Sequence, residues 1–422
     1  MKEAGVRIVG FDCAEDDHSA VLLSEEGEFE SHTKMVNQRD EIEGGLSQLL
    51  LAIPEEHELV VVVESKRSHG RLVTDVATGL GIRVWQVNTV ALNHFRDLEG
   101  QPRKDDEWDA YLAARMLFNR SRGCREITET TNEEKGLSRL TRSHARLKDD
   151  RLQQVLRLRA ALLELAPEML HRSWSGPKAG SKALAYLLQR WPGFGGMEKA
   201  QLRSIEKILH RCRYGSRAGE VAKLLRDMAR RISIEGEERS AITLELGFLL
   251  EQVKVCDVAL KKLSTEISNR VEEHPIGVKL LEMPGIGAII GGVLLSELFP
   301  VARTTTEAKS ATYSGVTPLS RKTGKTPDNP RLARGNNKHV LNALYQSGVS
   351  AIKCSAVDKA YYQKKLRDYS GHPKPHVAAF LALARQRHKV IFKLMTTEAR
   401  YDKETLIARH LERMEEARKA GA

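Results

Sequence analysis

Val6-Arg7-Ile8-Val9-Gly10-Phe11-Asp12-Cys13-Ala14 and Glu58-Leu59-Val60-Val61-Val62-Val63-Glu64-Ser65 decide the fold of the first part of this chain. Both are short, nearly continuous runs of β-branched and apolar residues, which predicts strands covered on both faces, as in a parallel sheet. Each run carries an acid at or near its end, Asp12 or Glu64. Two further strand-like runs, Ser19 to Ser24 and Ile82 to Val87, alternate with helical stretches, so residues 6 to 118 read as α/β.

Working outward, Lys104-Asp105-Asp106-Glu107-Trp108-Asp109-Ala110 opens a segment of helix formers. The i, i+3 spacing places Asp106 and Asp109 on one face of its first turn. An acid at each of two buried strands, followed by two acids on one helical face, is the pattern of a two-metal phosphoryl-transfer site. Two divalent ions about 4 Å apart activate a nucleophile and stabilise a leaving oxygen, and Mg²⁺ prefers carboxylate oxygen and water. Taken singly, each acid has an ordinary alternative, since acids complement helix N-termini and are commonly solvated at strand ends. The crowding of Asp105 to Asp109 favours a bound cation, because like charges repel unless something positive sits among them.

Charge is divided along the chain. Residues 1 to 120 hold 13 Lys and Arg against 23 Asp and Glu, a balance of −10, while the whole chain is +11 and the remainder therefore +21. An acidic metal-binding part joined to a basic remainder suits an enzyme that grips nucleic acid with separate surfaces. Between Lys309 and Lys338 there are seven basic residues and one acid, Asp328, interleaved with Gly, Pro and Asn, as expected of a loop contacting a phosphate backbone. Aromatic residues are only 5% of the chain, too few for the usual single-strand stacking platforms. Trp108, Tyr361 and Tyr362 are the aromatics to examine, with helix packing the more ordinary role for the tyrosine pair.

From Thr131 to Leu170 and from Ile242 to Val271, apolar stripes on charged helices predict a coiled coil or helical hairpin, paired within the chain or with a second copy. Turn-rich stretches at 173–180 and 191–196 separate shorter helices. Leu281-Glu-Met-Pro284-Gly285-Ile286-Gly287-Ala288 reads as the turn of a helix-hairpin-helix, whose glycines would let amides meet a phosphate, or else as a tight helix–helix connection. Further helices follow at 338–355, 356–368 and 376–397.

Five cysteines, odd in number and without C-x-x-C spacing, exclude a zinc ribbon and a disulfide framework and fit a reducing compartment. Cys13 beside Asp12 reads as small core filler. No apolar run approaches the roughly 20 residues needed to span a bilayer, and the first residues lack a signal-peptide pattern. A cytoplasmic protein without a membrane partner is expected, nucleoid-associated when acting.

Gly10-Phe11-Asp12-Cys13-Ala14 followed by His18, then Val61-Val62-Val63-Glu64-Ser65, then Lys104 to Ala110, resemble the motifs of the DEDD transposases of bacterial insertion sequences, relatives of the Piv-type DNA invertases. The resemblance implies an RuvC-like, RNase H-type N-terminal domain in which Asp12, Glu64, Asp106 and Asp109 bind Mg²⁺, two ions being expected. It extends to Tyr313-Ser-Gly315-Val-Thr-Pro318-Leu-Ser320-Arg321-Lys322-Thr323-Gly324-Lys325-Thr326, which is similar to the family's C-terminal motif, a hydroxyl nucleophile before a glycine in a basic loop. The family's usual residue there is serine, whereas this chain has Thr323, with Ser320 as the alternative. Threonine keeps the hydroxyl and adds a methyl that stiffens χ1. Arg321, Lys322 and Lys325 would neutralise the approaching phosphate, with Gly285, Gly287, Gly324, Arg331, Arg334 and Lys338 as further nucleic-acid contacts. His18, Lys66 and Arg67 are placed near the metal end of the first domain.

The expected organisation is thus an α/β RuvC-like domain over 1–125, a central helical coiled-coil region over 126–273, a mainly α C-terminal transposase domain with its helix-hairpin-helix-like element over 274–400, and a charged tail over 401–422. The function implied is a DNA recombinase that cleaves and rejoins strands. By resemblance alone, its partners are DNA, a structured non-coding RNA that acts as guide, and further copies of the chain in a homo-oligomer. A junction-resolving nuclease, needing the acids but not Thr323, and a non-catalytic DNA-binding relative are the alternatives.

Overall fold

The computed structural model describes residues 5–65, 68–99, 105–119, 123–128, 130–319, 331–332 and 336–402. Two compact units emerge, one from residues 1–130 with 300–341 and the other from 131–299 with 342–422.

In the first unit, the apolar runs form a six-stranded mixed sheet. Its strands are β1 (Gly5–Cys13), β2 (Asp17–Leu23), β3 (Phe29–Val36), β4 (His57–Val63), β5 (Arg83–Val87) and β6 (Cys124–Glu126), in the order β3-β2-β1-β4-β5-β6. β1, β4 and β5 run parallel, and the pairs β1–β2, β2–β3 and β5–β6 are antiparallel. Period-2 alternation splits the core into two layers. Val9, Phe11, Leu59, Val61 and Val63 pack on one face with Ile42, Leu46, Val73 and Val76. These come from the helices α1 (Arg39–Ala52) and α2 (Arg71–Gly79). Ile8, Val21, Leu23 and Val62 pack on the other face with Leu92, Leu112 and Ala113. Those come from α3 (Thr89–Leu98) and α4 (Asp106–Phe118). This is the double coverage that the valine runs require.

Two strands escape the hydrophobic pattern. β3 (Phe-Glu-Ser-His-Thr-Lys-Met-Val) has only Met35 buried, because it is an edge strand held by its ladder to β2. β6 is three residues long and caps the opposite edge.

The second unit is helical. Its longest helices, Asn132–Leu165 and Gly236–Glu273, pack antiparallel: Leu137 shares a core with Ile267 and Val271, Arg151 pairs with Asp257, and Leu158 and Leu162 share a core with Ile242 and Leu246. The first helix starts with a complete capping box between Thr131 and Glu134. Helices Lys182–Arg190, Leu202–Arg211 and Ala218–Arg231 close one end around Phe194 and Leu225. Near the other end, Pro275–Leu281 and Ala288–Val293 flank a tight turn. The chain continues through the π-helical turn Leu294–Leu298, where buried Glu297 is bound by Ser138 Oγ at 2.6 Å and by the Arg142 fork at 2.6 and 3.0 Å. Helices Lys338–Cys354, Ala356–Asp368 and Pro375–Thr396 follow. Among the described residues, no helix is long and apolar enough to cross a membrane.

Candidate active site

The register of the parallel strands brings the first two acids together. Phe11 of β1 lies opposite Val63 of β4, so the next residues, Asp12 and Glu64, sit side by side at the C-terminal end of the sheet. That end is where open α/β sheets place their sites. After Glu64 the chain turns sharply, and a Cβ on Gly70 would stand 2.0 Å from the Ser65 carbonyl oxygen, so only glycine lets the backbone approach so closely.

α4 supplies the other two acids. Asp105 is spent on capping, its carboxylate accepting from the Trp108 amide at 2.8 Å, which leaves Asp106 and Asp109 on the first turn. The helix lies directly on β1 at Gly10, where a Cβ would meet the Ala110 carbonyl oxygen at 2.1 Å and the Ala114 amide nitrogen at 2.8 Å. The small residues Ala110, Ala113 and Ala114 complete that close approach. Gly10 therefore sets how near the α4 acids come to Asp12.

Asp12, Glu64 and Asp109 line one cavity of about 210 Å³ with Phe11, Leu92, Asn93, Arg96 and Ala113. Burial, followed by the charges of Asp109, Asp106 and Glu64, pushes the Asp12 carboxyl up to about 6 from its usual 3.8, against the pull of the Cys13 amide. Asp106 does not line the cavity, yet its charge is felt at Asp12. Arg96 reaches in from α3, donating from Nη2 to Asp109 Oδ1 at 2.5 Å and from Nη1 to Asn93 Oδ1 at 3.0 Å. Gln86 of β5 donates to the Glu64 carbonyl at 3.2 Å and accepts from Arg125 at 3.2 Å, tying the end of β4 to β5 and β6.

Arg96, Asn93 and Gln86 carried no signal in the sequence. Each is a polar residue of a short helix or strand with no motif around it, brought to the acids only by the path from β5 into α3. His18 is fully buried on β2 opposite Cys13, its Nε2 3.1 Å from Asn37 Oδ1, and burial lowers its pKa. Burial and the neighbouring Asp12 and Glu64 push the Cys13 thiol up to about 12, so it is no nucleophile at neutral pH. Trp108 stacks on Tyr111 with ring centroids 5.0 Å apart. Tyr362 packs on Phe380 at 4.5 Å and bonds His376 at 2.6 Å, a helix-packing role.

Ser320, Arg321, Lys322, Thr323, Gly324, Lys325 and Arg334, with Lys66 and Arg67, lie outside the described residues. Residues on either side of this segment are described. Arg331 belongs to a short antiparallel pairing of Pro318–Leu319 with Arg331–Leu332. The Asn337 amide donates to the Tyr313 carbonyl at 2.8 Å and its side chain to the Tyr313 hydroxyl at 2.7 Å. Lys338 is exposed at the start of its helix.

In the second unit, the turn from Glu282 to Gly287 has Gly285 at φ +81°, and a Cβ there would meet the Ser347 carbonyl oxygen at 2.5 Å. Gly285 thus serves protein packing, whereas Gly287 has open space at its Cα. Buried Arg387 fixes the turn, donating to the Pro284 carbonyl at 2.6 Å, to Ser347 Oγ at 3.0 Å and to Asp358 at 3.1 Å.

Residues 9–167 match the family model of DEDD transposases of the IS110 type, and residues 278–363 match the transposase IS116/IS110/IS902 family. The chain is a transposase of the IS110 family. The first match contains all four acids and the second contains the Gly285 turn and Thr323. The transposase is 24% identical over 347 residues to the insertion element IS110 uncharacterized 43.6 kDa protein of Streptomyces coelicolor, covering 82% of this chain and 83% of that one. It is 23% identical over 392 residues to the insertion element IS116 uncharacterized 44.8 kDa protein of Streptomyces clavuligerus, covering 92% and 94%.

The acids of the transposase fit a hard divalent cation: the donors are all carboxylate oxygens, and Asp12 is raised by burial and then by the charges of Asp109, Asp106 and Glu64, both of which a cation would offset. Among the described residues, no three His, Cys, Asp or Glu side chains already stand close enough to hold an ion. Asp109 instead has its Oδ1 engaged by Arg96.

Proposed function

We propose that the transposase cuts and rejoins the DNA of its insertion element at the cavity formed by Asp12, Glu64 and Asp109, with Asp106 beside it, on an RuvC-like domain. The observation that carries this reading is the convergence of Asp12, Glu64 and Asp109 on one cavity, with the Asp12 carboxyl pushed up to about 6 by burial first and then by the neighbouring acids. Such a cluster costs stability unless cations complete it, which is the signature of a site built for a function.

Asp12, Glu64, Asp106 and Asp109 would hold two Mg²⁺ ions, which when bound polarise the phosphate and stabilise the departing 3′-oxygen. Thr323 supplies the nucleophile, with Ser320 the alternative. Its Oγ1 forms the new bond to phosphorus as the P–O3′ bond breaks. Its proton leaves for the released 3′-hydroxyl, and a covalent 5′-phosphoenzyme retains the bond energy for rejoining. Arg321, Lys322, Lys325, Arg331, Arg334 and Lys338 neutralise the DNA backbone, and the amide edge at Gly287 and Gly324 accepts close approach of a phosphate.

A structured guide RNA and an oligomer of at least two copies complete the proposal, acting in the cytoplasm at the nucleoid. Supporting the oligomer, Leu152, Leu156, Leu244, Phe248, Val255 and Val258 stand exposed on the paired long helices. Transposase membership favours this reading over the junction-resolving nuclease. Thr323→Ala tests the nucleophile: covalent protein–DNA adducts and strand exchange are expected to disappear while Mg²⁺-dependent binding persists. Adducts that persist in Thr323→Ala but vanish in Ser320→Ala would transfer the role to Ser320.

A further inference from the structure

We propose that Arg96 is the resident cation of the acid cavity, neutralising Asp109 in the metal-free protein and passing its guanidinium to a DNA phosphate once divalent ions take that carboxylate. This rests on the metal-site reading above and adds to it a substrate contact and a metal-dependent exchange of partners.

Three observations converge on it. Arg96 lines the same cavity as Asp12, Glu64 and Asp109, although it comes from α3, which contributes none of the four acids. Its Nη2 holds Asp109 at 2.5 Å and its Nη1 rests on Asn93, so the guanidinium is steered from below and competes with any cation for Asp109. Its Nε is buried and has no hydrogen-bond partner among the described residues. A buried unpaired donor is disfavoured, and an anionic acceptor entering the cavity would satisfy it.

The chemistry suits a phosphodiester. Guanidinium is always charged, and its planar fork matches two phosphate oxygens at once. While the cavity is free of metal, its three carboxylates, with Asp106 beside them, against one guanidinium leave it negative, so DNA phosphate is repelled. Two divalent ions reverse that balance, and the same ions draw Asp109 away from Arg96. Metal binding and phosphate binding are thereby coupled through one side chain, and the uncharged Asn93 remains as the hinge on which the guanidinium turns.

The test uses the full-length protein and two readouts. Calorimetric titration of the DNA-free protein with Mn²⁺ gives metal affinity. Binding of a short fluorescent DNA duplex in Ca²⁺ and in EDTA gives the gain in DNA affinity that metal brings, which cancels the contribution of basic surface elsewhere. Arg96→Ala is expected to bind Mn²⁺ about 3- to 10-fold more tightly, because Asp109 loses its competitor, and to lose about tenfold of the Ca²⁺-dependent DNA gain. Arg96→Lys should restore part of that gain.

Weaker Mn²⁺ binding in Arg96→Ala would overturn the proposal, since a merely structural bridge holding α3 to α4 predicts that sign. A Ca²⁺-dependent gain within twofold of wild type would overturn it as well. Failure of the metal-site reading looks different: wild type and Asp109→Asn would then titrate alike with Mn²⁺.

Discussion

Replacing Asp12 by Asn should stabilise the metal-free protein while abolishing its chemistry. In the folded chain the Asp12 carboxyl is raised from 3.8 to about 6, first by burial and then by Asp109, Asp106 and Glu64. Held ionised at neutral pH, it costs about 3 kcal/mol by linkage, which solvent screening of a part-exposed group reduces to about 1–2 kcal/mol. Asn removes the charge and keeps an oxygen for the Cys13 amide. Because the folded-state pKa is the higher one, protonation favours the fold: the contribution is fully present below about pH 4 and is lost as pH rises through about 6. The advantage of Asp12→Asn over wild type should therefore be largest at pH 7.5 and vanish near pH 4. Hydrogen exchange of β1 and β4 in EDTA reads it locally, with about 5- to 30-fold slower opening expected at pH 7.5. Added Mg²⁺ should slow exchange in wild type and leave the variant unchanged. Faster exchange in Asp12→Asn at pH 7.5 would refute the reasoning, because it would mean that the carboxylate is already compensated without metal.

Other substitutions probe the surrounding scaffold. Gly10→Ala, whose methyl would strike the Ala110 carbonyl and the Ala114 amide, should destabilise the first unit by about 1–3 kcal/mol and weaken Mn²⁺ binding by displacing α4, both measurable by exchange and calorimetry. Arg387→Met should cost about 3–5 kcal/mol in the second unit by stranding Asp358 and the Pro284 carbonyl, and Arg387→Met with Asp358→Leu should recover part of that loss in urea melts. Gly285→Ala combines a positive φ with contact on the Ser347 carbonyl, and is expected to lower the melting temperature without altering Mn²⁺ affinity. Thr323→Ser should retain adduct formation in a gel assay, at a rate equal to or above wild type, because it only removes the stiffening methyl.

What was legible in the sequence follows from which residues answer to burial alone. The valine run before Glu64 and the apolar run through Asp12 are covered on both faces, so pattern and structure agree there, and the i, i+3 spacing of Asp106 and Asp109 is a local property of α4. β3 was illegible because an edge strand is held by backbone pairing rather than by apolar side chains. The two apolar stripes were readable as helices, but not the choice of partner. Leu137 meeting Ile267, and Arg151 meeting Asp257, depends on a contact between segments about a hundred residues apart. Arg96 is the instructive omission. The sequence shows four acids and predicts a cation among them, yet the guanidinium that meets Asp109 sits on a different helix, where nothing in its neighbours distinguishes it from a solvated arginine.

The most direct test of the central claim is metal-dependent strand cleavage of DNA carrying an end of the insertion element, by wild type and by Glu64→Gln and Asp109→Asn. Wild type is expected to cleave in Mg²⁺ and not in EDTA, with each variant folded, still binding DNA, and at least about a thousandfold slower. Cleavage by either variant within tenfold of wild type would contradict it.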